Sequence, residues 1–215
     1  MKAASLSDFE LLDNWRQGDN RAGNELFERY FGQLYRFFGN KVNQNVDDLI
    51  QDTFLACVQG KDRFRKESSF RSYLFAVAKN ILYREFTRRS RALEKLDFTV
   101  THLEDLGPTP TNLLARHGEQ QLLIKALRHI PLEYQITLEL YYWEEMSGPE
   151  LADILEIPEP AVRSRIRRGL EMLRARMAEL ATSPQVLEST CGDLERWAGS
   201  LKECFLLPKL SSREA

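Results

Sequence analysis

One stretch near the C-terminal end, residues 158–177, restricts the possible folds more than any other part of the sequence. It reads PEPAVRSRIRRGLEMLRARM, and its apolar or small residues recur at helical spacing: Val162, Ile166, Gly169, Leu170 and Leu173. Such a stripe predicts a helix with one buried face. The residues that point away from the stripe are polar: Arg163, Ser164, Arg167 and Arg168. Pro160 fits only in the first turn of this helix, where a missing N–H costs nothing.

A second short helix is predicted just upstream. The run Ser147-Gly148-Pro149-Glu150 is a capping box, in which the Ser147 hydroxyl accepts from the N–H of Glu150 and the Glu150 carboxylate reaches back. The run Glu156-Ile157-Pro158 then breaks the chain before the basic helix. Two short helices with a tight break, the second one basic, predict a helix-turn-helix with its recognition helix at 158–177.

Composition excludes several classes of protein. A chain of 215 residues, 43% hydrophobic and 29% charged, is typical of a globular protein with a real core. It has no run of eighteen apolar residues and no signal-peptide core, so we expect a cytoplasmic protein without membrane insertion. Its three cysteines and three histidines show no disulfide framework and no metal-ligand spacing. Phosphate-binding glycine loops and catalytic motifs are also missing, so we expect no catalytic residues, no metal and no cofactor.

The net charge of −2 conceals two basic segments. Residues 61–95 carry a net charge of +7 and residues 158–177 a net charge of +4. Two basic segments on a nearly neutral chain suggest two contacts with a polyanion. For either segment alone, the alternative is a helix that carries arginines for solubility.

Helical periodicity also dominates the first ninety residues, with helices predicted in 7–41, 47–59 and 70–91. The helix at 47–59 has a core face of Ile50, Phe54 and Cys57. Its opposite face is polar and acidic, with one leucine in its middle: Asp48, Gln51, Asp52, Leu55 and Gln59. This face is either solvated or a docking surface for a basic partner helix, and Leu55 favours docking.

The helix at 70–91 mixes basic with aromatic residues, a combination that suits single-stranded nucleic acid because cations follow the phosphates while rings stack on unpaired bases. For most of these rings the alternative is a place in the core. Residues 92–115 are acidic and contain Gly107-Pro108-Thr109-Pro110, which predicts a linker. We therefore predict an all-α fold of two small helical domains, 1–95 and 116–180, joined by an acidic linker at 96–115. A C-terminal extension at 181–215 has helical spacing of Leu187, Leu194, Trp197, Leu201 and Phe205.

Taken together, these segments resemble a known family. The runs DDLIQDTFLACV and SSFRSYLFAVAKNILYREFTRR, the Pro-bearing acidic linker and the run AVRSRIRRGLEMLR resemble a sigma factor of the sigma-70 family. The resemblance covers roughly residues 8–178. Because further domains are lacking, the chain resembles the small extracytoplasmic-function (group IV) type.

The resemblance implies a bacterial transcription initiation factor whose first domain resembles sigma region 2 and whose second resembles region 4. Its partners would be core RNA polymerase, promoter DNA as duplex and as melted strand, and an anti-sigma factor. The polymerase-binding positions would be Asp48, Gln51, Asp52 and Leu55. The minus-ten element would be bound and opened by the helix at 70–89 and its preceding loop: Arg63, Phe64, Arg65, Phe70, Arg71, Tyr73, Lys79, Asn80, Arg84 and Arg88. The minus-thirty-five duplex would be read by Arg163, Ser164, Arg167 and Arg168, since arginine pairs bidentately with guanine.

Two departures from the family pattern stand out. Tyr73 occupies a position where the family often has tryptophan, and the extension at 181–215 is outside the minimal pattern, which suggests control by the protein's own C-terminus. Two other functions stay open on the residues alone. One is a stand-alone regulator that binds duplex DNA with 147–177 and uses 1–95 for dimerisation or sensing. The other is an interaction protein whose acidic face binds some other helix.

Overall fold

The computed structural model describes residues 6–42, 45–60, 69–89, 98, 101 and 119–181, and every regular element in these ranges is a helix. In chain order the helices are α1 (Asp8–Arg16), α2 (Asn20–Gly39), α3 (Val46–Gln59), α4 (Phe70–Arg89), α5 (Glu119–Arg128), α6 (Leu132–Tyr142), α7 (Gly148–Leu155) and α8 (Glu159–Leu180). The predicted all-α fold is confirmed. Most of the predicted linker, the loop at 61–68 and the extension beyond Ala181 lie outside the described residues.

Local side chains determine where the first helices begin. Ser7 and Glu10 form a capping box, with Ser7 N–H donating to Glu10 Oε2 at 2.8 Å and Glu10 N–H donating to Ser7 Oγ at 3.3 Å. Gly18 takes a positive φ of 99° in the turn after α1, a conformation that favours glycine. The Asp19 carboxylate then caps α2 by accepting from Arg21 N–H at 2.9 Å.

Helices α1 to α4 pack around a common apolar core. The predicted core face of α3 is confirmed, because Ile50, Phe54 and Cys57 are all buried. Burial raises the pKa of the Cys57 thiol to about 12, so this cysteine behaves as a small hydrophobic residue. Phe37 of α2 meets Phe75 of α4 edge-on, with ring centroids 5.6 Å apart.

The helix-turn-helix is formed by α7 and α8. Ser147 and Glu150 make the predicted capping box, and Glu156 ends α7 in the left-handed conformation with φ 57°. In α8 the stripe residues Val162, Gly169 and Leu173 are buried against the neighbouring helices. A Cβ at position 169 would lie 3.3 Å from Leu138 of α6, so glycine permits the close approach of these two helices.

The two groups of helices are in contact with each other. Helix α4 packs along α7, and residues of α6, α7 and α8 belong to the same apolar cluster as the core of α1 to α4. A second cluster lies between α5, α6 and α8. The described helices therefore form one closed arrangement, with α4 covered on one side by the helix-turn-helix.

Candidate nucleic-acid interface

The outer face of α8 carries the residues that sequence reasoning assigned to duplex recognition. Arg163, Ser164, Arg167 and Arg168 are all exposed, while Val162 and Leu173 hold the opposite face in the core. The Arg163 side chain is 75% exposed and donates to Glu159 one turn earlier at 2.5 Å. The hydrogen bond to the Glu159 carboxylate, together with its negative charge, raises the pKa of the Arg163 guanidinium.

A different arginine of α8 anchors the helix. Arg165 is only 19% exposed and forms an ion pair at 2.9 Å with Glu133 of α6. Arg165 therefore holds α8 on the body of the protein, while Arg163, Ser164, Arg167 and Arg168 face outward. An exposed row of cations on a fixed helix can follow phosphates and reach base edges in a major groove.

The acidic face of α3 is also accessible. Asp48, Gln51 and Asp52 are exposed, and Leu55 is 45% exposed. Beside them lies an open, mostly apolar cleft of about 510 Å³ lined by Trp15, Phe27, Phe31, Asp47, Gln51, Phe54 and Leu55. Phe27 is 38% exposed at this cleft. An apolar cleft with an acidic rim fits a partner helix that carries both apolar and basic side chains.

The residues assigned to the melted strand fall into three groups. Asn80, Arg84 and Arg88 are exposed on α4, and Arg88 donates to both carboxylate oxygens of Glu85 at 3.0 Å. Arg63, Phe64 and Arg65 lie outside the described residues. The remaining four are wholly or partly covered: Phe70, Arg71, Tyr73 and Lys79.

Packing explains why these four residues are less accessible than direct contact with a DNA strand would require. Phe70 is 1% exposed and packs edge-on against Tyr30, so its ring belongs to the core. Tyr73 is half-buried, and its hydroxyl leaves no room for a Cβ at Gly60. Lys79 is 6% exposed because it reaches Ile154 and Glu156 at the end of α7. Arg71 is only partly exposed because it reaches Glu144, in the segment between α6 and α7.

Sequence reasoning missed a group of buried charges between α2 and α6. Arg36 of α2 forms an ion pair with Glu144. Lys41, in the turn after α2, forms an ion pair with Glu139 of α6. One signal in the sequence could have indicated a buried charge. Glu139 lies between apolar residues of the predicted helix that follows Pro131, where a buried side chain is expected.

Within the described ranges, no helix is both long and apolar enough to span a membrane. Their His, Cys, Asp and Glu side chains form no group of three that could hold a metal ion.

Comparisons with known proteins point in one direction. Two family models match the chain, Sigma-70 region 2 over residues 26–92 and Sigma-70, region 4 over residues 120–173, and together they span more than half of it. The chain is 27% identical over 188 residues to the ECF RNA polymerase sigma-E factor of Haemophilus influenzae, covering 83% of this chain and 99% of the relative. It is 25% identical over 177 residues to the ECF RNA polymerase sigma-E factor of Escherichia coli K12, covering 78% of this chain and 93% of the relative.

Two solved structures are also similar. One is CnrH in complex with the cytosolic domain of CnrY, with 27% identity, a TM-score of 0.49, and coverage of 80% of this chain and 97% of that chain. The other is the sigma factor RpoE in complex with the anti-sigma factor NepR from Bartonella quintana, with 18% identity and a TM-score of 0.50. The second match covers 72% of this chain and 97% of that chain and supports the fold.

Proposed function

Because the chain belongs to the sigma-70 family, as an RNA polymerase sigma factor of the extracytoplasmic-function type, we propose a division of labour between its parts. Residues 1–95 bind core RNA polymerase and open the minus-ten element, and residues 116–180 bind the minus-thirty-five element. The acidic linker at 96–115 joins them, and the extension at 181–215 regulates them. The protein acts in the cytoplasm with the polymerase as a non-catalytic subunit.

The exposed row on α8 is the observation that carries this proposal. Arg163, Ser164, Arg167 and Arg168 face solvent from a helix whose other side is fixed in the core. In a helix-turn-helix, this is the surface that enters the major groove. Its arginines suit guanine edges, and Ser164 suits a phosphate or a base edge.

The face of α3 supports the assignment of polymerase docking. Asp48, Gln51 and Asp52 offer charge and hydrogen bonds, and Leu55 offers apolar contact beside the open cleft. A helix of a coiled coil that carries basic and apolar side chains could form the ion pairs, the hydrogen bonds and the apolar contact together. An anti-sigma factor is a further proposed partner, because one similar solved structure is titled as a sigma factor in complex with an anti-sigma factor.

For the melted strand, the accessible part of α4 is the starting point. Asn80, Arg84 and Arg88 are exposed and can meet DNA without rearrangement of the closed protein. Lys79 is buried and donates to the Ile154 carbonyl oxygen and to Glu156 at the end of α7, so it requires α7 to move before it can do so.

A polymerase-dependence assay tests the proposed function. Labelled promoter DNA is mixed with the protein, with core polymerase, and with both. We expect a specific, initiating complex only when both are present. If the protein alone gives the specific complex, and polymerase neither binds it nor initiates with it, the stand-alone regulator is the correct interpretation.

The docking face has its own test in the same assay. Asp48→Arg should abolish polymerase binding, since it places a cation on the acidic face without touching the core. Asp153→Arg, an equal charge change at an exposed site on α7, is the matched control and should bind normally. Equal affinity of the Asp48 variant and the wild type would remove the docking assignment.

A further inference from the structure

The first turn of α8 carries an acidic residue beside the exposed arginines. Glu159 is the first residue of α8, and its carboxylate accepts a hydrogen bond at 2.5 Å from Arg163, one turn later. Residues four apart lie on the same face of a helix, so Glu159 stands at the beginning of the exposed row of α8. The Glu159 side chain is 39% exposed and the Arg163 side chain is 75% exposed. Both are therefore accessible on the side of α8 that the proposed function assigns to duplex DNA.

Two contacts fix the position of the Glu159 carboxylate. One is the hydrogen bond from Arg163. The other is with the first residue of α7, because a Cβ added to Gly148 would lie 3.2 Å from Glu159 Oε1 and 3.3 Å from Glu159 Cγ. The carboxylate thus lies between the first turn of α7 and the Arg163 guanidinium. Side chains that are already held in place lose less conformational freedom when they bind a ligand.

Arg163 differs in this respect from the other two arginines of the row. Within the ranges that the structure describes, Arg167 and Arg168 have no ion-pair partner, whereas Arg163 is bound to Glu159. An exposed ion pair at this spacing contributes little to stability. It also cancels one of the positive charges that would attract phosphates. The pair is therefore better suited to a ligand that offers acceptors and a donor side by side than to a phosphate group.

The backbone at this end of α8 is also poorly suited to a phosphate. Pro160 has no N–H, and Ala161 and Val162 donate theirs to the carbonyl oxygen of Pro158 at 2.8 Å and 3.2 Å. Helix N-termini bind anions through free N–H groups, which are scarce in this turn. The negative charge of Glu159 opposes anion binding further. Contact with DNA at this end of α8 therefore depends on side chains that reach base edges.

The major-groove edge of a C·G base pair is complementary to the two side chains. Guanine presents two acceptors, N7 and O6, and cytosine presents one donor, the N4 amino group. Arg163 can donate to the guanine while the remaining lone pairs of the Glu159 carboxylate accept from the cytosine. Adenine also presents a donor, at N6, but its N7 acceptor lies beside that donor and would repel a carboxylate. Cytosine is therefore the base that suits Glu159 best.

We propose that Glu159 is a specificity-determining residue, and that Glu159 and Arg163 together read one C·G base pair of the minus-thirty-five element. The inference rests on the proposed function, because it takes α8 as the helix that enters the major groove. An acidic first residue also stabilises a helix through the helix dipole. A role limited to that stabilisation would change the stability of the protein without changing the base that it prefers.

A selection from promoter DNA with a randomised minus-thirty-five element tests the proposal. The full chain is combined with core polymerase, and the retained DNA is sequenced. We expect the wild type to enrich C·G at one position of the element. Glu159→Ala should lower that preference about tenfold and leave the preferences at the other positions unchanged. Because this variant loses a negative charge, its affinity for scrambled DNA should not fall.

A second variant separates direct contact from an effect through Arg163. In Glu159→Gln, the side-chain amide can accept from adenine N6 and donate to adenine N7. The preference should therefore move from cytosine to adenine at the same position. If Glu159→Gln only loses the preference, as Glu159→Ala does, Glu159 acts by positioning Arg163, and the direct reading of cytosine is overturned.

The matched control is Glu179→Ala on the same helix. This variant breaks the exposed ion pair between Glu179 and Arg176, which are 2.6 Å apart and distant from the first turn. It should keep every base preference of the wild type. The proposal is overturned if Glu159→Ala selects the same bases as the wild type, or if it loses affinity equally for all sequences. A wild type that selects an upstream element without a C·G pair would also overturn it.

Failure of the proposed function would look different. A wild-type complex with core polymerase that selects no upstream element at all would contradict the proposed function. A wild-type complex that selects such an element, together with a Glu159→Ala variant that selects the same bases, would contradict only the role of Glu159.

Discussion

The buried pair between Lys41 and Glu139 makes a strong prediction about stability. The Lys41 side chain is 0% exposed, and its ammonium contacts the Glu139 carboxylate, the carbonyl oxygen of Phe37 at 2.7 Å and the amide oxygen of Asn40 at 2.8 Å. Lys41→Met keeps most of the apolar stem and removes the ammonium group, with its charge and its hydrogen bonds. It leaves Glu139, which is 3% exposed, as a buried carboxylate without its cation.

The expected loss of unfolding free energy depends on the hydrogen bonds that Glu139 retains in the variant. Removing one partner of a buried ion pair costs about 3–5 kcal/mol. Glu139 still accepts from Asn40 at 2.7 Å and from Gln135 at 2.6 Å, so we expect the lower part of that range, about 3 kcal/mol. Adding Glu139→Gln removes the unpaired charge, and the double variant should recover at least half of the loss.

Urea unfolding of the full chain measures both variants, with the midpoint and the slope fitted separately. The control is Arg176→Met, which removes an ion pair whose side chains are 44% and 59% exposed and should cost less than about 1 kcal/mol. The reasoning is refuted if Lys41→Met unfolds within about 1 kcal/mol of wild type, or if the double variant is no more stable than the single one.

Three further predictions concern other parts of the molecule. Arg168→Ala should weaken promoter binding by the polymerase complex by about 1–3 kcal/mol if this exposed arginine reads a base, and an equal loss on scrambled DNA would make it a phosphate contact. Cys57 should resist iodoacetamide at pH 8 in a Cys191→Ser, Cys204→Ser background, because burial raises its pKa to about 12 and leaves little thiolate, and mass spectrometry would contradict this if alkylation were as fast as in urea. Ser147→Ala should cost about 1 kcal/mol of unfolding free energy through loss of the α7 cap, and a change of only a few tenths would show that the cap does not contribute.

Much of the local structure could be predicted from the sequence. Capping by Ser147, the burial of Cys57, and the exposure of Leu55 among Asp48, Gln51 and Asp52 all follow from spacing and side-chain chemistry. These features depend on residues within a few positions of each other. Periodicity therefore contains the information needed to place them.

The contact between the two halves could not be predicted in the same way. Arg36 and Glu144 are separated by 108 residues, and nothing in local spacing pairs them. Helical periodicity places Lys79 and Arg71 on α4, but it does not show which residues of the other half cover them. For Phe70, spacing left both a core position and a stacking position open, and packing against Tyr30 placed it in the core.

The most direct test of the central proposal is transcription from a genomic promoter library by core polymerase with and without the purified protein, with the 5′ ends of the transcripts sequenced. We expect new start sites that appear only with the protein and share two sequence elements, about ten and thirty-five base pairs upstream. Replacing Arg163, Arg167 and Arg168 together with alanine should abolish the preference for the upstream element. An identical set of start sites with and without the protein would show that it does not direct promoter recognition.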